Sequence, residues 1–374
     1  MGKMNDQMIR EKAITRTSII GICANVFLAA FKAGAGLVAG SISIVLDAVN
    51  NLTDVFSSVI TILGIKLAKK KPDDKHPYGY GRIEYFSTIL IALIVFSAGA
   101  ASLVESVKKI IAPTMPEYSL VTVIIICASV VTKFLLGRYV KGQGQKYASD
   151  ALIASGSDAS FDAIISASTL VSAAITFFLK YSVDGILGAI ISVIIVKAGI
   201  EMMLEALSHV IGKKPDSAIT GEIKQVVNAI PGVLGTYDLI LHNYGPDSAI
   251  GSLHVEVKGD LTASEIHALT QKIQTAVLEK FHIFVTVGIY AVETQNQEKM
   301  AMRAKIGEIC QGHEGVVNNH GVFIGLDEKR LSFDVTLDFS VSDKAGMVAA
   351  IKKEVEATYP GFTATVNCDT NYSD

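Results

Sequence analysis

The sequence predicts an all-α membrane domain of six transmembrane helices, followed by two α+β units in tandem, each with the order αββαβ. Three observations carry this. Of 374 residues, 50% are hydrophobic and only 18% charged, and the mean hydropathy is +0.42, too apolar for a soluble multidomain protein. The apolar residues are concentrated between Ser18 and Leu207. Beyond Pro215 the chain turns amphipathic and repeats one pattern at about 80 residues.

The apolar segments are Ser18–Gly40, Ile42–Leu67, Tyr85–Val107, Ser119–Leu136, Ala151–Leu179 and Ile186–Leu207. Each approaches or exceeds the roughly 20 residues that cross a bilayer as a helix. The first is too long, and has too many successors, to be a cleaved leader. An even number of crossings puts both termini on one side. Lys3, Arg10, Lys12 and Arg16 precede the first segment, Lys66, Lys69, Lys70, Lys71, Lys75 and Arg82 flank the second loop, and Arg138, Lys141 and Lys146 flank the fourth. The opposite side offers mainly Lys108, Lys109 and Lys180. The positive-inside rule therefore places both termini in the cytoplasm of a multi-pass cell-membrane protein. Lys32 is expected to snorkel to the interface.

In the soluble part, an amphipathic segment ends at Ile230-Pro231-Gly232-Val233; two strands, a helix over Ser264–Phe281 and a strand over Phe284–Ala291 follow. The second copy runs through Ile306–His313, Glu314-Gly315-Val316, strands around Val322–Leu326 and Leu331–Phe339, a helix Lys344–Tyr359 and a strand Phe362–Asn367. Domain boundaries fall at 1–212, 213–294 and 295–374. A net charge of −3 carries no basic stripe, which excludes nucleic-acid partners. Cys23, Cys127, Cys310 and Cys368 form no C-x-x-C pair, so neither a disulfide framework nor a thiolate zinc site is expected.

Chemistry concentrates in the acidic and amide residues of the apolar helices. The second helix carries Asp47, Asn50, Asn51 and Asp54, and the fifth carries Asp158 and Asp162. Asn50 with Asp54, and Asp158 with Asp162, are i, i+4 pairs on one helix face, with Asp47 one turn away on the same stripe. A rise of about 1.5 Å per residue puts the first pair roughly 14–20 Å from the outer side and the second roughly 12–18 Å from the inner side. Both therefore reach the middle of a core about 30 Å thick. A carboxylate there costs at least about 2.5 kcal/mol, so three of them call for a cation or proton. The bland alternative is polar glue between helices. Asn51 points elsewhere and reads as structural, and Asp47 as an outer-side relay or a water-exposed residue.

These motifs, together with the loop Asp73-Asp74-Lys75-His76-Pro77-Tyr78-Gly79-Tyr80-Gly81-Arg82-Ile83-Glu84, resemble the cation diffusion facilitators, membrane antiporters that exchange divalent transition metals for protons. The resemblance covers residues from about 12 to 294. It implies that Asn50, Asp54, Asp158 and Asp162 are transport-site metal ligands, that the protein is a homodimer, and that the cytoplasmic unit is a ferredoxin-like dimerisation domain. It implies no permanently bound cofactor; the partners are the transported metal, protons and membrane lipids.

Zinc-carrying members have Asp-x-x-x-Asp and His-x-x-x-Asp where this chain has Asn50 and Asp158. An all-oxygen donor set points away from zinc toward Mn²⁺, as in manganese-exporting relatives; Mg²⁺ resists the dehydration such a site demands. Zn²⁺, Fe²⁺, Co²⁺ or Cd²⁺ export, and a non-transporting metal-sensing scaffold, are the alternatives. A register using Ala154 and Asp158 would leave Asp162 alone. Asp73 and His76 form an incomplete loop site, because Tyr80 stands where zinc members have His. His254 and His267 fall near family zinc positions, but Tyr237 and Tyr290 replace further ligands, and no metal is assigned there. Arg82 matches a family position that forms an ion pair at the dimer, yet no aligned acid follows the sixth helix. Asp327, Asp334 and Asp338 read as surface strand and turn residues. Neither a Ser/His/Asp set nor an H-E-x-x-H string is present, so the chain is not expected to be an enzyme.

Overall fold

A computed structural model describes residues 2–38, 42–112, 120–179, 184–246 and 248–372. The chain divides into two compact units, one of residues 1–213 with 243–248 and one of residues 214–242 with 249–374.

The first unit is built of six long helices: α1 (Gly2–Val38), α2 (Ile42–Ala68), α3 (Ile83–Ile111), α4 (Leu120–Lys146), α5 (Asp150–Leu179) and α6 (Asp184–Ile211). They pack chiefly as α1 on α2, α3 on α6 and α4 on α5. Among the described residues, four stretches are long and apolar enough to cross a membrane: Met8–Gly34, Ile83–Ile111, Val123–Lys146 and Gly185–Ile211. The remaining two helices, α2 and α5, carry Asp54, Asp158 and Asp162. The outer surface is apolar. Phe27, Phe56, Phe86, Ile124, Phe134 and Val193 are each more than half exposed, a distribution that suits hydrocarbon and would aggregate in water.

Contacts inside the bundle are close. A Cβ on Gly156 of α5 would lie 2.4 Å from the backbone nitrogen of Lys141 on α4, so these helices approach backbone to backbone as small residues permit in membranes. Helix α1 starts well before the apolar run begins, and its polar first turns have a task. Arg10 donates through Nη2 to Glu84 Oε1 at 2.7 Å and to the Ala148 carbonyl at 3.0 Å, and through Nε to the Tyr147 carbonyl at 2.8 Å. One guanidinium thus joins α1, the start of α3 and the α4–α5 turn.

The second unit contains α7 (Ser217–Asn228), β1 (Gly235–Asn243), β2 (Ala249–Lys258), α8 (Ala263–Phe281) and β3 (Phe284–Val292), then α9 (Gln297–Gln311), β4 (Val316–Gly325), β5 (Arg330–Leu337), α10 (Lys344–Thr358) and β6 (Thr363–Thr370). The order αββαβ occurs twice. Each sheet has its middle strand second in sequence, orders β1-β2-β3 and β4-β5-β6, and β2–β3 and β5–β6 run parallel. The same turn follows the first helix of both copies: Gly232 and Gly315 have φ of +105° and +93°, which favours glycine.

Side-chain caps fix the helix starts: Asp216 for α7, Thr262 with Glu265 as a capping box for α8, Asn296 for α9 and Asp343 for α10. The Asn296 cap starts α9 nine residues ahead of the expected Ile306. Strand β4 begins at Val316 rather than near Val322, because register shifts at Val316/Asn318 and at His320/Phe323 break the alternation by which a strand is read.

Alternation gives each sheet two faces. Leu253, Val255 and Val257 of β2 pack on Ile223, Ile273 and Val277, and Leu331, Phe333, Val335 and Leu337 of β5 pack on Ile306, Ile351 and Val355. The opposite faces carry polar side chains that meet across the two copies, where Arg303 of α9 makes a forked contact to Glu256 of β2 at 2.7 and 2.8 Å.

Replacing Gly156 with Ala should lower the melting midpoint of the detergent-solubilised protein. The same change at Gly142 on α4, where a Cβ meets nothing within 4 Å, should raise stability by roughly 0.5–1 kcal/mol through helix propensity. Equal effects at the two sites would show that α4 and α5 are not in backbone contact.

Candidate metal centre

Asp54 from α2 and Asp162 from α5 are brought together by a residue from a third helix. Lys133 of α4, 5% exposed, places Nζ 2.7 Å from Asp54 Oδ2 and also pairs with Asp162 Oδ2. Asp158, one turn before Asp162, is buried, and Ser57 Oγ of α2 donates to its Oδ2 at 3.5 Å. The three carboxylates are near enough for each to feel the others' charge. The result is a cluster of three oxygen-donor groups from two helices, with an ammonium seated between two of them, inside an otherwise apolar bundle.

Asn50 and Asp47 lie in α2, but their side chains are outside the described residues. Asn51 is buried, and neither atom of its amide has a hydrogen-bond partner among the described residues. Ala154 packs with Ile91 and Ala151 in an apolar cluster, so the α5 register that presents carboxylates is Asp158 with Asp162. Lys32 does not snorkel. It is 2% exposed, and its charge acts on Asp54.

The loop after α2 is closed on itself. Asp73 accepts from Lys70 Nζ at 2.9 Å and from Tyr80 Oη at 2.7 Å, and His76 packs against the Tyr80 ring at 4.3 Å. The Lys70 ammonium, then the Tyr80 hydroxyl, hold the Asp73 carboxyl well below its ordinary range. Asp73 thus has two protein donors. Among the described residues, no ion pair joins Arg82 to an acid. Arg82 donates twice to the Asn243 carbonyl, at 3.1 and 2.9 Å, and stacks over Tyr244.

In the second unit His267 is exposed on α8, whereas His254 Nδ1 lies 3.0 Å from Asp238 Oδ2 and its ring stacks on Tyr290. Asp327 is an exposed turn residue, and Asp338 accepts from the Ser340 amide at 2.8 Å. Asp334 departs from the surface reading: Tyr290 Oη donates to it at 2.8 Å and Asn367 Nδ2 at 2.7 Å, because it projects from the face of β5 that meets the first copy. Lys133, Asp238, His320 and Asp369 are missing from the sequence reading. For Lys133 the signal was present: an ionisable residue inside an apolar membrane helix is a functional candidate whatever its sign.

Apolar helices enclosing carboxylates and a lysine define a membrane protein that handles cations. Residues 18–210 match the cation efflux transmembrane domain and residues 215–289 the cytoplasmic domain of cation efflux proteins; the chain belongs to this family of transporters, the cation diffusion facilitators. It is 31% identical over 256 residues to the uncharacterized transporter MJ0449 of Methanocaldococcus jannaschii, covering 68% of this chain and 90% of the relative. It is 26% identical over 281 residues to the manganese efflux system protein MneP of Bacillus subtilis, covering 73% and 93%. Identity to the cation-efflux pump FieF of Salmonella typhi is 26% over 275 residues, covering 72% and 90%. Neither domain match extends past residue 289.

Removing one member of an enclosed ion pair is worse than removing both, because the survivor is left uncompensated. Lys133→Gln should therefore destabilise the detergent-solubilised protein, by an amount on the order of 3 kcal/mol. Lys133→Gln with Asp162→Asn should recover part of the loss. A double variant as unstable as the sum of its single changes would show that Lys133 and Asp162 do not interact.

Proposed function

We propose that this protein exports a divalent transition-metal ion, Mn²⁺ above others, across the cell membrane in exchange for protons. The carrying observation is the convergence of Asp54, Asp158 and Asp162 around Lys133 inside the apolar bundle. With Asn50, these residues form the transport site, and Asp47 serves as a relay on the outer side. All six long helices span the membrane, both termini are cytoplasmic, the αββαβ units are ferredoxin-like, and the protein works as a homodimer.

Oxygen-only donors favour a hard cation over zinc, and MneP, one of the relatives, is named for manganese efflux. Lys133 sharpens the mechanism. The empty site is already occupied by a cation of the protein's own, and an arriving metal ion takes the carboxylate oxygens that the ammonium holds. Protons compete for those same oxygens, so metal release on the outer side and proton entry are two halves of one exchange. Rocking of one helix group against another exposes the site alternately to each side.

In proteoliposomes with a pH gradient, Asp162→Ala should abolish Mn²⁺ flux at unchanged protein level; retained flux would refute the site. Asp158→His combined with Asn50→Asp should shift the Mn²⁺:Zn²⁺ transport ratio toward zinc. An unchanged ratio would refute the donor-set argument for manganese while leaving the site itself standing.

A further inference from the structure

The polar faces of the two sheets meet at a cluster that neither domain match covers as a whole. Its centre is His320 of β4, whose side chain is fully enclosed. His320 pairs with Asp334 of β5 and so shares the polar face of that sheet, just before the register shift between His320 and Phe323. Nδ1 of His320 lies 3.0 Å from Asn318 Oδ1, an oxygen that also accepts from Thr336 Oγ1 at 2.9 Å. An amide oxygen can only accept, so the ring's Nδ1 carries a hydrogen toward it.

The other nitrogen, Nε2, then points between two carboxylates from different copies of the repeat, 3.0 Å from Asp238 Oδ1 and 3.2 Å from Asp369 Oδ2. An imidazole with one N–H committed to an amide oxygen and its second nitrogen aimed at carboxylate oxygens has the orientation of a metal-ligating histidine. One donor atom from each of Asp238, His320 and Asp369 lies within 4.8 Å of the others, close enough to share one ion.

The surroundings support the same reading. Asp238 is held at φ +51°, an uncommon conformation for a residue with a side chain, of the kind that clusters at functional sites. Tyr290 Oη lies 3.1 Å from Asp238 and 2.8 Å from Asp334, so one hydroxyl proton faces two carboxylates. The Tyr237 ring stacks on His320 at 4.9 Å and fixes its plane.

We propose that Asp238, His320 and Asp369 bind a divalent transition-metal ion at the seam between the two αββαβ copies, clasping them together. One nitrogen and two carboxylate donors suit Mn²⁺, Fe²⁺, Co²⁺ or Zn²⁺ rather than Mg²⁺ or Ca²⁺. The site does not depend on which ion the membrane domain carries. It uses two residues beyond the family's matched region and neither of the tyrosines, Tyr237 and Tyr290, that stand at family ligand positions.

The test uses the full-length, detergent-purified protein with the membrane site disabled by Asp54→Asn, Asp158→Asn and Asp162→Asn together with Lys133→Gln, which removes the ammonium those carboxylates compensate, so that a failed transport assignment and a failed seam site give different results. Equilibrium dialysis against Co²⁺, read by elemental analysis and visible absorption, should find one ion per chain with a ligand-field band. Adding His320→Gln or Asp369→Asn should remove that ion or weaken it at least about tenfold, whereas His313→Gln, on the far side of the second copy, should not. Far-UV circular dichroism separates lost binding from lost folding in each variant. Absence of bound Co²⁺ in this folded background variant overturns the proposal, since the three groups are then held by a proton on Nε2; so does unchanged binding after His320→Gln in a folded protein.

Discussion

Charge enclosed among apolar helices is the constraint on which the first unit is organised. Asp54, Asp158 and Asp162 are each costly to hold ionised where they sit, and the structure offsets that cost locally. Lys133 supplies an opposite charge between Asp54 and Asp162, Lys32 acts on Asp54 from α1, and Ser57 donates to Asp158. The helix packing follows from the same need. Close packing of α4 on α5, backbone to backbone at Gly156, keeps Lys133 within reach of Asp162. A wider separation would leave ammonium and carboxylate each without a partner in a medium that offers no water.

The second unit answers a different constraint, that a sheet covered on one face by helices still has another face. In both copies that second face is polar, and the copies solve the problem mutually. Glu256 is met by Arg303, Tyr290 by Asp334 and Asp238 by His320. Such contacts are specific in a way apolar burial is not, because a slip by one residue would expose or orphan every charge at once. The repeat is therefore a pair of modules keyed to each other by ionisable groups.

Much of this was legible in the residues. Apolar runs located the six helices to within a few residues at most ends, since nothing but a buried or lipid-facing helix accommodates twenty apolar residues. The Gly232 and Gly315 turns made the repeat readable, whereas the Asn296 cap that starts α9 went unread. Asp54, Asp158 and Asp162 stood out by scarcity. What escaped was whatever depends on a partner distant in sequence. Lys133 sits in an apolar run whose single charge looks incidental until α2 and α5 are placed beside it, and Arg10 reads as a topology signal until Glu84 and the α4–α5 turn come within reach. His320 lies between two irregularities of β4 that hide the alternation. Asp334, read as a surface strand residue, faces outward from its own copy but inward toward the other.

The lysine also bears on how a transporter of this design would respond to membrane potential. Moving one elementary charge through the field costs or releases about 2.3 kcal/mol per 100 mV. In the proposed exchange, any carboxylate left unprotonated on the return step would carry negative charge through that field. An ammonium held against two of these carboxylates would move with them as part of a smaller sum, so a carrier of this design would bring its own counter-ion. In the carrier proposed above, Lys133 would make the resting step of the cycle less sensitive to voltage than the acidic residues alone would allow.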